Sequence, residues 1–430
     1  VKKLPGIFLL LLLNICCFGQ RRDVQDKIKY YTEKAQNYLD KEKALSGYYS
    51  INEKGVTIYA SPQDKKNNIA EFHLEWNYAE TFKQAAASHS WIDIKTRFFK
   101  KSEFTPPAGY YMDGVYYKPK SEPKPLDNLR IAIDPGHIAG EHATGDLEKK
   151  HIKIKADSLN GIKDSIEISE GILTFATAEL LKEKLEKQGA TVFFTRTADK
   201  TAFGKTFGQW KKDDLKKAVD SLYKIGELSG SQKQYFLGKK AKDRDIFRVV
   251  FRDLELAKRV ELINQFHPDF TVIIHYNVDE TNIDWEKCSE KNYNMTFVAG
   301  SFMKNDLSTK EKRFEFLRLL ITDDLEKSIS LSSAVVRNFE STLNVKTADI
   351  RDAKYLVEGC LPSGSSGVYC RNLQLPRYIH SPVVYGETLF QDNINECKAL
   401  NEESDKKKNK RVQQVADAYY KGIMEYAASR

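Results

Sequence analysis

From residue 129 onward, short uncharged apolar runs alternate with longer stretches of helical periodicity. Residues 131–133, 192–195, 270–274, 295–298 and 382–385 are brief and rich in β-branched or aromatic side chains, the pattern of strands covered on both faces. Between them, Ile172, Leu173, Ala176, Leu180, Leu181 and Leu185 recur at helical spacing until Gly189 ends the run, and residues 252–266, 310–320, 330–343 and 411–428 repeat the pattern. Strands interleaved with helices predict an α/β fold built on a mixed twisted sheet with helices on both faces. Upstream, residues 23–45 read as a helix, followed by the alternating GVTIYASP and IAEFHLEWN. We therefore expect a small α+β N-terminal module over residues 20–117, a Pro- and Lys-containing linker over 118–128, and one catalytic domain over 129–430.

Two of the apolar runs stop on histidine. Residues 131–133 lead through Asp134, Pro135 and Gly136 into His137, and FTVII leads directly into His275. Parallel sheets bind ligands at the carboxyl ends of their strands. Two neutral imidazoles and one carboxylate brought to such an edge supply three positions of a catalytic zinc site and leave the fourth for water. The carboxylate candidate is Glu170, in the first turn of a helix that Ser169 is placed to cap, where the helix dipole favours negative charge. Glu167, before the cap in the alternating SIEIS, ranks second.

Taken together, IAIDPGH, a Glu opening a helix, GATVFFTR, VIIHYN and VVYGETLFQDN resemble, in order, the zinc-dependent N-acetylmuramoyl-L-alanine amidases of bacterial cell walls. The resemblance covers roughly residues 129–393. It implies zinc held by His137, Glu170 and His275, Glu387 as the catalytic acid/base, Thr195 with Arg196 after the second strand, Asn277 after the second histidine, and hydrolysis of the amide between N-acetylmuramic acid and L-alanine in peptidoglycan. It also leaves room for an activator or regulatory protein as partner. Arg196 reads as a support of the fold rather than a substrate contact.

This chain departs from the family pattern in several places. Ile138 and Ala139 replace the usual Gly-Gly, and Arg371 is followed by Asn372 where the family has Arg-Gly. Insertions are expected at about residues 141–166 and 199–251. The first carries HIKIKAD and SIEIS around Asn160-Gly161, a hairpin signal. The second carries a helix with Leu215, Val219, Leu222, Ile225 and Leu228 on one stripe, which must dock on the domain, on a partner, or over the cleft as a lid. Of the other histidines, His142 is a spare-ligand candidate, His151 and His380 lie near the sheet edge, and His267 ends a helix. Two rival functions share the residues: a zinc peptidase acting on other peptides, and a non-catalytic wall-binding protein. The four site residues together argue against the second.

The 430-residue chain carries 68 Lys and Arg against 60 Asp and Glu, a net charge of +8. The basic residues are interleaved with acids, which excludes a nucleic-acid stripe. Lys2 and Lys3, the apolar residues 7–13 and the small residue Gly19 read as a signal peptide over residues 1–19, too short to span a bilayer. Export to the periplasm or cell envelope follows, with no membrane span after cleavage. A lipid anchor at Cys16 or Cys17 is the lesser alternative, since neither has the preceding small residue of a lipoprotein signal. Cys288, Cys360, Cys370 and Cys397 remain to pair in an oxidising compartment, with Cys360 and Cys370 flanking the loop LPSGSSGVY.

Overall fold

A computed structural model describes residues 23–86, 124–138, 142–156 and 161–429. Residues 1–19, read as a signal peptide, and most of the expected linker lie outside the described residues. Among those described, no helix is long and apolar enough to cross a membrane.

Segment 23–34 is helical and passes through a π-turn, Ala35–Leu39, that ends at Asp40. The helix thus stops short of the expected residue 45, and a 3-10 turn, Lys41–Lys43, follows. Strands β1 (Tyr49–Asn52), β2 (Gly55–Ile58) and β3 (Phe72–Glu75) then form an antiparallel sheet of their own. The module shares its core with the body of the protein. Tyr31, Leu39, Val56, Ile58, Phe72, Leu74 and Phe82 join Phe302, Phe314, Phe316, Leu320 and Val368 in one buried cluster. Polar contacts follow the same seam: Arg313 Nη2 donates to Glu71 Oε1 at 2.8 Å, and Lys34 Nζ to the carbonyl of Thr322 at 2.6 Å. Leu126, within the linker assigned from composition, is fully buried in the main core.

The catalytic sheet is assembled from β4 (Arg130–Pro135), β7 (Thr191–Phe194), β8 (Phe270–Asn277), β9 (Met295–Ala299), β10 (Cys360–Pro362), β11 (Val368–Arg371) and β12 (Val383–Phe390), in the order β10-β11-β9-β12-β8-β4-β7. The strands from β12 through β8 and β4 to β7 are parallel, while β9 runs antiparallel to β12. Alternation sorts their side chains. Ile131, Ile133, Phe270, Val272, Ile274 and Val384 face helices Glu170–Lys187, Asp324–Leu343 and Lys410–Ala428. Ala132, Ile273 and Val383 face helix Arg252–Phe266 on the other side. Period-two alternation carries Asp134, His275, Tyr385 and Glu387 onto this second face at the common carboxyl edge.

Both insertions are ordered where described. β5 (His151–Ile154) and β6 (Ile166–Ser169) pair antiparallel, with Ile154 opposite Ile166. The intervening segment 155–165 is longer than the two-residue Asn160-Gly161 turn read from the sequence, and residues 157–160 of it lie outside the described residues. In the second insertion, Leu215 and Val219 of helix Leu215–Lys224 are buried with Phe207, Trp210, Phe247, Phe251 and Ile138. The helix does not lie over the cleft as a lid, since none of its residues lines the cavity beside His137 and His275. The helix spends its apolar stripe on the insertion's own aromatic core, and Ile225, at the end of that stripe, is left 68% exposed.

Cys360 and Cys370 do not pair. In the antiparallel β10–β11 ladder Cys370 stands opposite Leu361 and Cys360 opposite Arg371, an offset of one residue that sends the two thiols to opposite faces. Cys288 and Cys397 do approach, with sulfurs 3.8 Å apart.

Candidate metal centre and active site

The β4 turn needs Gly136. A Cβ there would lie 2.2 Å from Cε1 of His275, so only glycine lets the backbone pass over that ring. On the opposite face of the His275 ring Tyr385 stacks at 4.6 Å, with ring planes 5° apart. The imidazole is thereby clamped between main chain and phenol, both brought by neighbouring parallel strands.

His137, Glu170 and His275 converge at the carboxyl edge, with their ligand atoms within 4.8 Å of one another. Glu170 Oε1 lies 3.1 Å from His137 Nε2 and 3.0 Å from His275 Nδ1. Its carboxylate is fully buried at the first turn of helix Glu170–Lys187, where the amide of Tyr276 donates to Oε1 at 3.2 Å and Gln391 Nε2 to Oε2 at 3.1 Å. Burial opposes its charge, yet His137 and Lys150 hold its pKa well below the usual carboxylate range. His275 is pushed down to about 4, chiefly by burial, and is a neutral imidazole. Burial also opposes the charge on His137, but Glu170 and Glu148 outweigh it and raise this ring to about 9.

The residues fit a zinc ion on an observation independent of any motif. His137 Nε2 is buried and has no hydrogen-bond partner among the described residues, although it faces a carboxylate. A buried acceptor or donor in that position is costly unless something else satisfies it. Two imidazole nitrogens and one carboxylate oxygen around a common point are the donor set of a catalytic zinc site. Ser169 precedes the helix as expected, but its hydroxyl caps nothing. Glu167 points elsewhere, lying 3.7 Å from His151.

Glu387 on β12 is in register with His275 on β8. Burial, with Glu170 adding to it and Lys150, His137 and Arg371 opposing, pushes its pKa up to about 7. A carboxyl so tuned exchanges protons readily at neutral pH.

Glu148, Lys150 and Arg259 carried no signal in the sequence, whereas Arg196, Thr195, Asn277, His380 and His267 did. Glu148, from helix His142–Glu148, accepts from His137 Nδ1 at 2.8 Å and from the Ile138 amide at 3.1 Å. This is the carboxylate–histidine pattern that fixes tautomer and orientation of a metal ligand. Lys150 Nζ lies 3.4 Å from Glu170 Oε2 and 4.9 Å above the Trp285 ring. Arg259 bridges Asp134, Glu255 and the His137 carbonyl. Arg196 donates to the carbonyls of Pro135, Gly136 and Gly171, and so ties the β4 turn to the start of the Glu170 helix. Thr195 hydrogen-bonds Asp134. Asn277 contacts Tyr355 at the end of β8. His380 instead contacts Glu315, and His267 ends its helix in a left-handed conformation. A cleft of about 270 Å³ opens beside the centre, lined in part by His137, Glu148, Lys150, Arg252, Gln374 and Tyr385.

The sequence model of the family described as N-acetylmuramoyl-L-alanine amidase matches residues 131–425. No curated protein matches the chain. Among solved structures, the CwlD amidase from Clostridioides difficile, in complex with the GerS lipoprotein, is 17% identical over 70% of this chain and 100% of its own, with a TM-score of 0.39. The catalytic domain of CwlV from Bacillus (Paenibacillus) polymyxa var. colistinus is 14% identical over 70% and 99%, with a TM-score of 0.35. AmiC2 of Nostoc punctiforme is 15% identical over 71% and 99%, with a TM-score of 0.36. The match running from β4 to the terminal helix means that this chain belongs to the N-acetylmuramoyl-L-alanine amidase family of peptidoglycan hydrolases.

Proposed function

We propose that the chain is a zinc-dependent amidase, exported to the cell envelope, that uses His137, Glu170 and His275 as ligands and Glu387 as acid/base. The observation that carries this reading is the convergence of the three side chains, with His137 Nε2 facing Glu170 at 3.1 Å yet left without a hydrogen bond among the described residues. Zinc in such a site supplies Lewis acidity toward the scissile carbonyl and lowers the pKa of water to about 7.

The chain's own groups do the rest. Glu148 holds His137 by Nδ1, so that Nε2 presents its lone pair to the centre. Gln391 and the Tyr276 amide fix the two oxygens of Glu170. Gly136 and Tyr385 clamp His275. The Glu387 carboxylate takes the proton of the attacking water and returns it to the leaving nitrogen of L-alanine, a role suited to its raised pKa. Export rests on the signal-like residues 1–19, with a lipid anchor at Cys16 or Cys17 as the lesser alternative. A protein activator or regulator is the further partner of this reading, as the CwlD amidase is found with the GerS lipoprotein.

Digestion of purified sacculi with and without a chelator tests the reading, with products identified by mass. Intact stem peptides should leave the glycan strands only when metal is present. Release that persists after chelation would remove zinc from the mechanism, and cleavage of unrelated peptides at equal rates would favour the peptidase rival.

A further inference from the structure

A second histidine cluster stands in the first insertion, made of residues other than the catalytic ligands. His142 opens helix His142–Glu148, His151 opens β5 and Glu167 lies on β6. Their ligand atoms also lie within 4.8 Å of one another. His142 Nδ1 is 3.1 Å from His151 Nε2, and that same nitrogen is 3.7 Å from Glu167 Oε2. Ligand atoms of a tetrahedral zinc site, at metal distances near 2.0–2.1 Å, lie roughly 3.3 Å apart. The two observed separations bracket that value.

The other nitrogen of His151 supplies an independent observation. Nδ1 is 2.9 Å from Asp146 Oδ1, and Lys153 Nζ holds the same carboxylate at 2.9 Å. With Nδ1–H donating a hydrogen bond to the Asp146 carboxylate, the Nε2 lone pair of a neutral His151 points at His142 and Glu167. This carboxylate–histidine relay is the one that metal-binding imidazoles use, and it repeats the Glu148–His137 pair of the catalytic centre. The His151 side chain is only 3% exposed, whereas His142 and Glu167 are exposed, so a metal would be reachable from solvent and anchored from below.

We infer that His142, His151 and Glu167 form a second, structural metal site that takes zinc or a similar divalent transition metal. Imidazole nitrogens with one carboxylate oxygen select this class over calcium or magnesium, which prefer all-oxygen shells. The site ties helix His142–Glu148 to the β5–β6 pair. That frame carries Glu148 and Lys150 to the catalytic residues: the Lys150 amide donates to the Gly145 carbonyl at 2.7 Å, and the Glu170 amide to the Lys150 carbonyl at 3.1 Å. A metal here therefore braces the partners of His137 and Glu170 without touching substrate. The inference does not depend on which residues hold the catalytic metal.

The test uses the full chain with the catalytic ligands removed, His137→Ala with His275→Ala, titrated with Co²⁺ and followed by its visible absorption and by equilibrium dialysis. One equivalent of metal should remain bound. Adding His142→Ala and Glu167→Gln should abolish it; both side chains are exposed, so folding is spared, and circular dichroism checks this. Asp146→Asn should weaken it about 10- to 100-fold, as loss of a histidine's carboxylate partner does elsewhere. Absence of bound cobalt in the first variant would overturn the site. So would retention of the full equivalent after His142→Ala and Glu167→Gln. Zinc-dependent hydrolysis that survives His137→Ala with His275→Ala, with this equivalent intact, would count against the catalytic reading alone.

Discussion

Replacing Glu148 by glutamine isolates the part this carboxylate plays at the catalytic centre. Glu148 accepts two hydrogen bonds, from His137 Nδ1 at 2.8 Å and from the Ile138 amide at 3.1 Å, using one oxygen for each. Burial opposes its charge, but His137 and the Ile138 amide keep its pKa below the usual glutamate value, so it is ionised at neutral pH. Glutamine preserves the shape but offers one oxygen to two donors, and turns an NH2 group toward whichever donor it fails. A buried donor left unsatisfied costs about 1–3 kcal/mol. At about 1.4 kcal/mol per decade this is roughly a 5- to 150-fold loss of zinc affinity. Competition against a calibrated chelator measures the dissociation constant directly, and hydrolysis of sacculi at buffered free zinc supplies the second readout. Activity should fall at limiting zinc and return at saturating zinc. A folded variant with unchanged affinity and an activity deficit that zinc does not rescue would refute the reasoning and place Glu148 on the substrate instead.

Further outcomes are expected. Glu387→Gln should keep its zinc and lose about 100- to 10,000-fold in turnover, measured as metal content beside stem-peptide release; near-normal turnover would move the acid/base elsewhere. In the metal-free chain His137 is raised from 6.5 to about 9 and is protonated at pH 7, so zinc uptake there should release a proton and affinity should climb toward pH 9. Calorimetry in buffers of differing ionisation heat reads that proton; buffer-independent heat would contradict it. The same shift stabilises the metal-free fold below pH 6.5, and this contribution disappears as pH rises through about 9. Leu215, Val219 and the partly buried Leu222 changed together to serine should lower Tm without activating the enzyme, the buried leucine Leu215 alone typically contributing about 2–5 kcal/mol; a rise in hydrolysis would restore the lid. Mild oxidation should join Cys288 to Cys397 and leave Cys360 and Cys370 as thiols, raising stability by about 2–4 kcal/mol, with peptide mapping as the check.

The strand-end histidines were legible because buried parallel strands are written as uninterrupted β-branched runs, and a polar residue closing such a run can only fall at the sheet edge. Glu170 was legible because a helix announces its first turn through the periodicity that follows. Glu148 and Lys150 were not, since they reach the centre from an insertion whose path depends on β5–β6 pairing rather than on local periodicity. The Asn160-Gly161 signal pointed to a tight turn, whereas the ladder closes only at Ile154 and Ile166. Cys360 and Cys370 looked pairable by spacing, but one residue of register separates their faces. For the stripe beginning at Leu215 the sequence showed an amphipathic face without its partner. Aromatics spread from Phe207 to Phe251 supply that partner, and only tertiary structure collects them.

The seam between the N-terminal module and the sheet bears on heredity as well as on folding. Phe72 meets Phe314 edge-on, with ring centroids 5.8 Å apart, and Glu71 grips Arg313 beside them. Neither side can drift alone. A smaller ring on one bank must be matched by a larger neighbour on the other, and loss of Glu71 leaves Nε and Nη2 of an almost wholly covered guanidinium without their acceptor, with only Nη1 still held by the Leu307 carbonyl. Segments 23–86 and 298–321 should therefore descend together as a linked pair. A chimera that grafts a foreign catalytic sequence behind this module would inherit a mismatched seam, with its aromatic face turned toward other molecules.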